Sequence, residues 1–257
     1  MLIIIDIPNM PKIKVLSQSI EDTFSRVLDT VLPPRCIATG LTVDQQGMIA
    51  PEYWGSLNFI DAPFCAQCGL PFEFSVGKNA LCGKCLNTPP HFDIARSAIA
   101  YDDNSKKLIL GFKYGDRLHA RDSFVPWMIR AGQDFLPKTN IIIPVPLHYK
   151  RLWKRRFNQA GILAQTLANQ TGHECQNDLL ARILHTSPHK DMNTKKRADN
   201  VKGAFILRSK YKNLVKGKSI TIIDDVYTSG STVNECAKVL KLSGAKSVYV
   251  LTLGRVK

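Results

Sequence analysis

Three groups of residues have the types and spacing to do chemistry. The first is the adjacent pair Asp224-Asp225, preceded by Ile220-Thr221-Ile222-Ile223 and followed by Val226-Tyr227-Thr228-Ser229-Gly230-Ser231-Thr232. Carboxylates accept hydrogen bonds from vicinal hydroxyls. A short Gly/Ser/Thr loop entering a helix N-terminus offers successive backbone N–H groups, and the positive end of the helix dipole, to a phosphate monoester. Gly230 allows close backbone approach, and the hydroxyls of Thr228, Ser229, Ser231 and Thr232 add donors. A sugar phosphate suits both halves; a helix cap preceded by two exposed acids would use the same residues.

The second group is Cys65-Ala66-Gln67-Cys68-Gly69 with Cys82-Gly83-Lys84-Cys85, two C-x-x-C knuckles. Four thiolates at this spacing can complete a tetrahedral Zn²⁺ shell, and four protein sulfurs leave no position for water. The expected metal is therefore one structural zinc at Cys65, Cys68, Cys82 and Cys85. Cys36, Cys175 and Cys236 are expected to be free or packed thiols. The third group is the basic run Lys150-Arg151-Leu152-Trp153-Lys154-Arg155-Arg156-Phe157, without an acid. It could close over a diphosphate, grip single-stranded nucleic acid by charge and stacking, or simply be solvated.

These groups need elements to hold them. From about Ala95, apolar strand-like runs alternate with helical stretches, which predicts a parallel sheet with crossover helices. Ile141-Ile142-Ile143, Ser219 to Ile223 and Ser247 to Leu253 read as buried strands. Asn158 to Gln170 reads as a helix with Gly172 past its end, and Thr232 to Ser243 as another. Thr232 and Glu235 would form its capping box and Gly244 its C-terminal stop. Residues 1–35 contain an amphipathic helical pattern (Ile20, Phe24, Val27, Leu28, Val31), residues 36–92 a cysteine-rich module, and residues 93–257 the α/β domain. No internal repeat is evident.

The formal charge of +14 over 257 residues favours polyanions of any kind, nucleic acid or a multiply charged phosphate among them. No apolar run reaches the length of a membrane helix, and the first residues make a poor export signal. A cytoplasmic, reducing setting is the expectation, in which paired cysteines hold metal rather than disulfides. Gly217-Lys218-Ser219 echoes the end of a nucleotide-binding P-loop, but Lys212 stands where its first glycine belongs. No G-x-G-x-x-G occurs.

Residues Ile220 to Thr232 resemble the phosphoribosyl-diphosphate motif of type I phosphoribosyltransferases, with Thr221 departing from its apolar stretch. More of the chain is similar to the ComF family of competence-associated, phosphoribosyltransferase-like proteins. The similarity runs through Tyr101-Asp102, Phe112-Lys113-Tyr114-Gly115, Ile141 to Ala160, Leu180-Ala181-Arg182, Thr186, Arg197, Asn200, Gly203-Ala204-Phe205 and Thr252-Leu253-Gly254-Arg255. The resemblance implies a type I phosphoribosyltransferase-like sheet flanked by helices. Asp224 and Asp225 would hold the ribose hydroxyls, Val226 and Tyr227 would complete the motif, and Thr228 to Thr232 would take the 5′-phosphate of 5-phosphoribosyl-1-diphosphate. Pro144, Val145, Pro146 and Leu147 would form the diphosphate loop; Arg151, Arg155, Arg156, Asn158 and Gln159 would form the hood over it.

Mg²⁺ would bridge ribose and diphosphate, with Asp224, Asp225, Arg151, Arg155 and Arg156 serving catalysis. The resemblance also implies a setting in DNA uptake or recombination, with single-stranded DNA and uptake proteins as candidate partners. A non-catalytic binding protein is the alternative. Where 6-oxopurine phosphoribosyltransferases carry a carboxylate after the acid pair, this chain has Thr228, which argues against hypoxanthine or guanine as acceptor. ComF-type proteins commonly carry another cysteine set upstream. Here Cys36-Ile37-Ala38-Thr39 keeps one cysteine, and Ala50-Pro51-Glu52-Tyr53 keeps none.

Overall fold

The computed structural model describes residues 33–77, 79–114, 118–148, 157–184 and 199–256. The amphipathic stretch Ile20 to Val31, the basic run from Lys150 to Arg156, and Thr186 and Arg197 lie outside the described residues.

The cysteine-rich module contains two knuckles of one design. In the second, Cys65 N–H donates to the Leu70 carbonyl, Gly69 N–H donates to the Cys65 carbonyl, and Phe72 N–H donates to the Pro63 carbonyl, at 2.8, 2.9 and 2.9 Å. In the first, Cys36, Gly40 and Val43 donate in the same way to Leu41, Cys36 and Pro34, at 2.7, 2.9 and 2.9 Å. Gly40 and Gly69 both adopt positive φ, 73° and 71°, as this turn requires. Each knuckle is followed by a short helix, Pro51–Trp54 (α1) and Gly83–Asn87 (α2). The module is thus an internal repeat, contrary to the expectation from sequence. Pro, Cys, Gly and Leu recur at Pro34/Pro63, Cys36/Cys65, Gly40/Gly69 and Leu41/Leu70, but three cysteines of the first copy are gone.

What replaces the metal there is visible. The Cys36 sulfur accepts from Ala50 N–H at 3.2 Å and Ala38 N–H at 3.4 Å, just as Cys65 Sγ accepts from Cys82 N–H at 3.3 Å. Thr39, Ala50 and Tyr53 occupy the other three ligand positions. The Tyr53 hydroxyl donates outward to the Asn104 carbonyl at 2.7 Å, tying the first knuckle to the α/β domain.

In that domain, long apolar runs without alternation suit strands covered on both faces. Ile94–Ala100 (β1), Ile141–Pro144 (β2), Glu174–Cys175 (β3), Ser219–Tyr227 (β6) and Ser247–Arg255 (β7) form a sheet in the order β1-β7-β6-β2-β3, all pairings parallel. Leu180–Arg182 (β4) and Phe205–Leu207 (β5) form a separate antiparallel hairpin. One face is covered by Asp103–Tyr114 (α3), Arg121–Ala131 (α4) and Gln159–Thr171 (α5), whose Phe112, Phe124, Met128, Leu163 and Leu167 are buried in one core. The other is covered by Ser231–Leu242 (α6), the β4–β5 hairpin and the second knuckle, which share a core around Phe92, Val233, Cys236 and Leu240. An α/β domain preceded by a small cysteine module is the expected architecture.

Two boundaries differ from the sequence reading. β6 continues past Ile223 because Asp224, Val226 and Tyr227 still pair with Thr252, Gly254 and Arg255 of β7. The acids therefore belong to the strand itself. Helix α6 begins at Ser231, its N-cap being Gly230 at φ 79° with no side-chain cap. The Thr232–Glu235 capping box does not form; Glu235 Oε1 instead accepts from Gly203 N–H at 2.8 Å. Gly172 and Gly244 do end their helices, at φ 71° and 90°.

If the first knuckle is a metal knuckle that lost its ligands, restoring them restores the metal. Thr39→Cys with Ala50→Cys and Tyr53→Cys should raise bound zinc from about one to about two per chain, since the spacing within each pair and the backbone of the turn already match. Metal analysis of the purified variant measures this directly; an unchanged content counts against the repeat as a ligand scaffold.

Candidate functional site

Asp224 and Asp225 stand near the carboxyl end of β6, where open α/β sheets place ligands. Consecutive strand residues point to opposite faces, so the two carboxylates have different neighbours. Asp225 Oδ2 lies 2.9 Å from Lys113 Nζ in the last turn of α3, with side chains only 14% and 16% exposed. Asp224 stands near Arg182 and Cys236, and its Oδ1 accepts from the Asp225 N–H at 2.9 Å. Burial, then the Asp225 charge, pushes the Asp224 carboxyl up to about 7, while Lys113 and Arg182 pull against the rise.

Lys113 was missed as a site residue. It lies in the Phe112–Gly115 segment, and nothing local marks it; only the packing of α3 over the sheet brings it to Asp225. Its carbonyl accepts from Gln159 Nε2 at 3.0 Å, and Asn158 Nδ2 donates to the Val145 carbonyl at 3.1 Å. The Asn158-Gln159 pair at the start of α5 therefore clamps two site segments at once, the lysine and the loop after β2. Gln159 is fully buried, which fits that role.

The loop Thr228-Ser229-Gly230 joins the acids to α6. Ser229 and Ser231 hydroxyls lie 2.9 Å apart, and Ser231 N–H reaches Ser229 Oγ at 3.4 Å. The first turn of α6 carries no acidic residue, so its dipole is left for an anion. Gly230 is demanded twice: its φ is positive, and a Cβ there would sit 2.2 Å from the Tyr227 hydroxyl. The loop thus lies directly on the Tyr227 ring.

Pro144 pairs with Ile223, and Val145 N–H donates to the Ile223 carbonyl at 2.9 Å, so the Pro144–Leu147 loop leaves the sheet beside the acids. Pro144, Pro146 and Leu147 line a cavity of about 760 Å³ together with Asn158, Arg182 and Arg208. A second cavity, about 660 Å³, lies against Tyr227 to Ser231 and the second knuckle. Neither is lined by the acid pair; the Lys113 ammonium takes up the place beside Asp225. Arg151, Arg155 and Arg156 lie outside the described residues.

Cys65, Cys68, Cys82 and Cys85 are all buried, and their sulfurs lie within 4.8 Å of one another. Zn–S bonds of about 2.3 Å in a tetrahedron need sulfurs just under 4 Å apart, so the set fits zinc with small adjustment. Burial raises Cys65, but N–H groups of Cys68, Cys82 and Gln67 outweigh it and bring that thiol to about 7. Burial and then the Cys68 charge drive Cys85 upward. Four sulfurs so disposed need a cation to become thiolates together. Cys36, Cys175 and Cys236 carry no disulfide.

A model of the double zinc ribbon domain matches residues 27–86, the span of the two knuckles. Competence protein F of Haemophilus influenzae is 31% identical over 198 residues, covering 75% of this chain and 85% of that protein. The DNA utilization protein YhgH of Salmonella typhi is 34% identical over 197 residues, covering 74% and 83%. Among solved structures, the glutamine phosphoribosylpyrophosphate amidotransferase from B. subtilis overlaps 55% of this chain and 30% of its own, at 16% identity and TM-score 0.37. That overlap is too loose to bear on function.

The raised Asp224 carboxyl has a consequence for stability. Its unfolded value is near 3.8 and its folded value near 7, so the folded state loses stability as pH rises between them, and the loss is complete above 7. Asp224→Asn removes that penalty. We expect the variant to be more stable than the parent at pH 8, by on the order of 2 kcal/mol, and to gain nothing at pH 4. Thermal melts at both pH values test this; an equal shift at both would disprove the assignment to ionisation.

Proposed function

The chain belongs to the ComF family, and from that premise we propose that its site binds 5-phosphoribosyl-1-diphosphate with Mg²⁺ and transfers the phosphoribosyl group to an acceptor during the handling of DNA. The observation that carries this reading is the continuity of one segment. An acid pair near a strand end is followed, five residues after Asp225, by Gly230, the N-cap of a helix whose first turn is free of acids. Vicinal hydroxyls and a phosphate on one ligand need that juxtaposition.

Each group then has work. Asp224 and Asp225 accept from the ribose hydroxyls and hold the sugar. Backbone N–H groups of Thr228 to Thr232 take the 5′-phosphate. The Pro144–Leu147 loop, fixed by Asn158, faces the diphosphate, and Arg151, Arg155 and Arg156 screen it as it leaves. Asp224 and Asp225 would help hold Mg²⁺ brought with the substrate, which would supply charge neutralisation at the diphosphate. In the transfer, the C1–oxygen bond to diphosphate breaks, positive charge builds on the ribose ring, and an acceptor lone pair closes on C1. The ligand must displace Lys113 from Asp225, and the freed ammonium then stands beside the incoming anion. Ionisation of Asp224 accompanies binding, so affinity should fall as pH drops below about 7.

The formal charge of +14 also supports a second reading, a nucleotide-binding protein that acts by holding single-stranded DNA. Arg121, Arg182 and Arg208 around the larger cavity fit it, and the name of the Salmonella relative concerns DNA utilization. Steep loss of single-strand affinity with salt, unaffected by changes at Asp224 and Asp225, would mark a separate DNA surface.

Calorimetric titration with 5-phosphoribosyl-1-diphosphate and Mg²⁺ tests the main reading. Wild-type protein should bind, and Asp225→Asn should lose about tenfold or more in affinity, the worth of one charge-assisted hydrogen bond. Absence of binding by the wild type overturns the proposal. Diphosphate release with a panel of acceptors then separates a transferase from a binding protein.

A further inference from the structure

Arg255 is 5% exposed, and among the described residues its Nε is a buried side-chain nitrogen without a partner. No carboxylate stands within ion-pair distance of it among the described residues. Its guanidinium is turned instead to the metal knuckle. Nη1 donates to the Cys68 carbonyl at 2.6 Å, and Nη2 lies 3.5 Å from Cys68 Sγ. This buried guanidinium is therefore held by the backbone and sulfur of the knuckle rather than by a carboxylate.

The other side of Arg255 rests on the phosphate loop's support. Its guanidinium carbon is 4.2 Å from the centre of the Tyr227 ring, and the Tyr227 hydroxyl sits beneath Gly230, where no Cβ fits. A second link is independent of the first. Lys84, between the two cysteines of its knuckle, donates from Nζ to the Ser229 carbonyl at 2.7 Å. A third bond lies beside them: the N–H of His91, in the chain just after the knuckle's helix, donates to Asn234 Oδ1 on α6 at 2.6 Å. The knuckle thus touches the loop from below, and α6 just after it.

We propose that the zinc knuckle and the phosphate loop form one energetically coupled unit, joined by Arg255 and Lys84 as positioning residues. Resting on the reading of Thr228–Thr232 as a phosphoryl site, this makes the structural metal a determinant of sugar-phosphate affinity. Loss of zinc releases Cys68 and Lys84, loosens the hold on Arg255 and frees Tyr227 to shift under Gly230. Coupling is reciprocal, so a bound sugar phosphate must in turn strengthen zinc retention by the same factor.

The test uses the full chain, zinc-loaded and after zinc removal, with ribose 5-phosphate as probe. Hydrogen exchange at residues 228–232 and calorimetric affinity are measured together. Zinc removal should speed exchange in the loop and weaken ribose 5-phosphate binding, each by about tenfold. Saturating ribose 5-phosphate should tighten zinc against a competing chelator by the same factor. Because zinc removal also loosens the knuckle itself, Lys84→Met and Arg255→Met are measured with their zinc content confirmed. Faster loop exchange in either zinc-retaining variant supports the coupling; unchanged exchange in both overturns it. If loop exchange responds but the wild type ignores ribose 5-phosphate, the coupling stands and the sugar-phosphate reading falls.

Discussion

Two carboxylates side by side in a strand covered on both faces are the constraint around which this structure is arranged. Each faces a different layer, and neither layer can be wholly apolar. On one side Lys113 meets Asp225 at 2.9 Å; on the other Asp224 is left with more burial than compensation and is driven toward neutrality. Such a segment opposes folding until something else supplies positive charge or donor hydroxyls. The fold tolerates it because the rest of β6 is hydrogen-bonded on both edges, to β2 and to β7. Carboxylates held at a cost of this kind stay desolvated and fixed in direction.

The cysteine module shows the same turn held in two ways. Backbone bonds around Cys36 and Cys65 superpose residue for residue, yet only the second has sulfurs enough for metal. The amide bond to the first sulfur is present in both, and in the first copy it is joined by the outward anchor of Tyr53, with no set of four ligands. Metal is therefore not what shapes the knuckle. The two copies also differ in position: the second lies against the Thr228–Gly230 loop, while the first lies against α3.

How much could be read in advance follows from where information lies along the chain. The acid pair, its loop and the following helix are contiguous, so strand, turn and helix signals reinforce one another within thirteen residues, Ile220–Thr232. The zinc set was equally legible, since two C-x-x-C pairs fix their own geometry. Lys113 and Arg255 were not, because each acts on a residue more than a hundred positions away. The end of β6 was misjudged because Val226 and Tyr227 are held by β7 rather than by their own pattern. The capping box failed for a related reason: Gly203, from a distant hairpin, takes Glu235. The repeat is hidden in the sequence because Pro, Gly and Leu carry it, while only one cysteine of the first copy matches the second.

Strand β1 has its parallel partner in β7, more than half the chain's length later. During synthesis, the knuckles and β1 leave the ribosome long before that partner exists, and β1 cannot enter the sheet without it. β7 also brings Arg255, whose guanidinium lies over the Tyr227 ring beneath Gly230. Assembly of the domain and completion of its site are for this reason a single late event, and a chain cut short before Ser247 would forfeit both together.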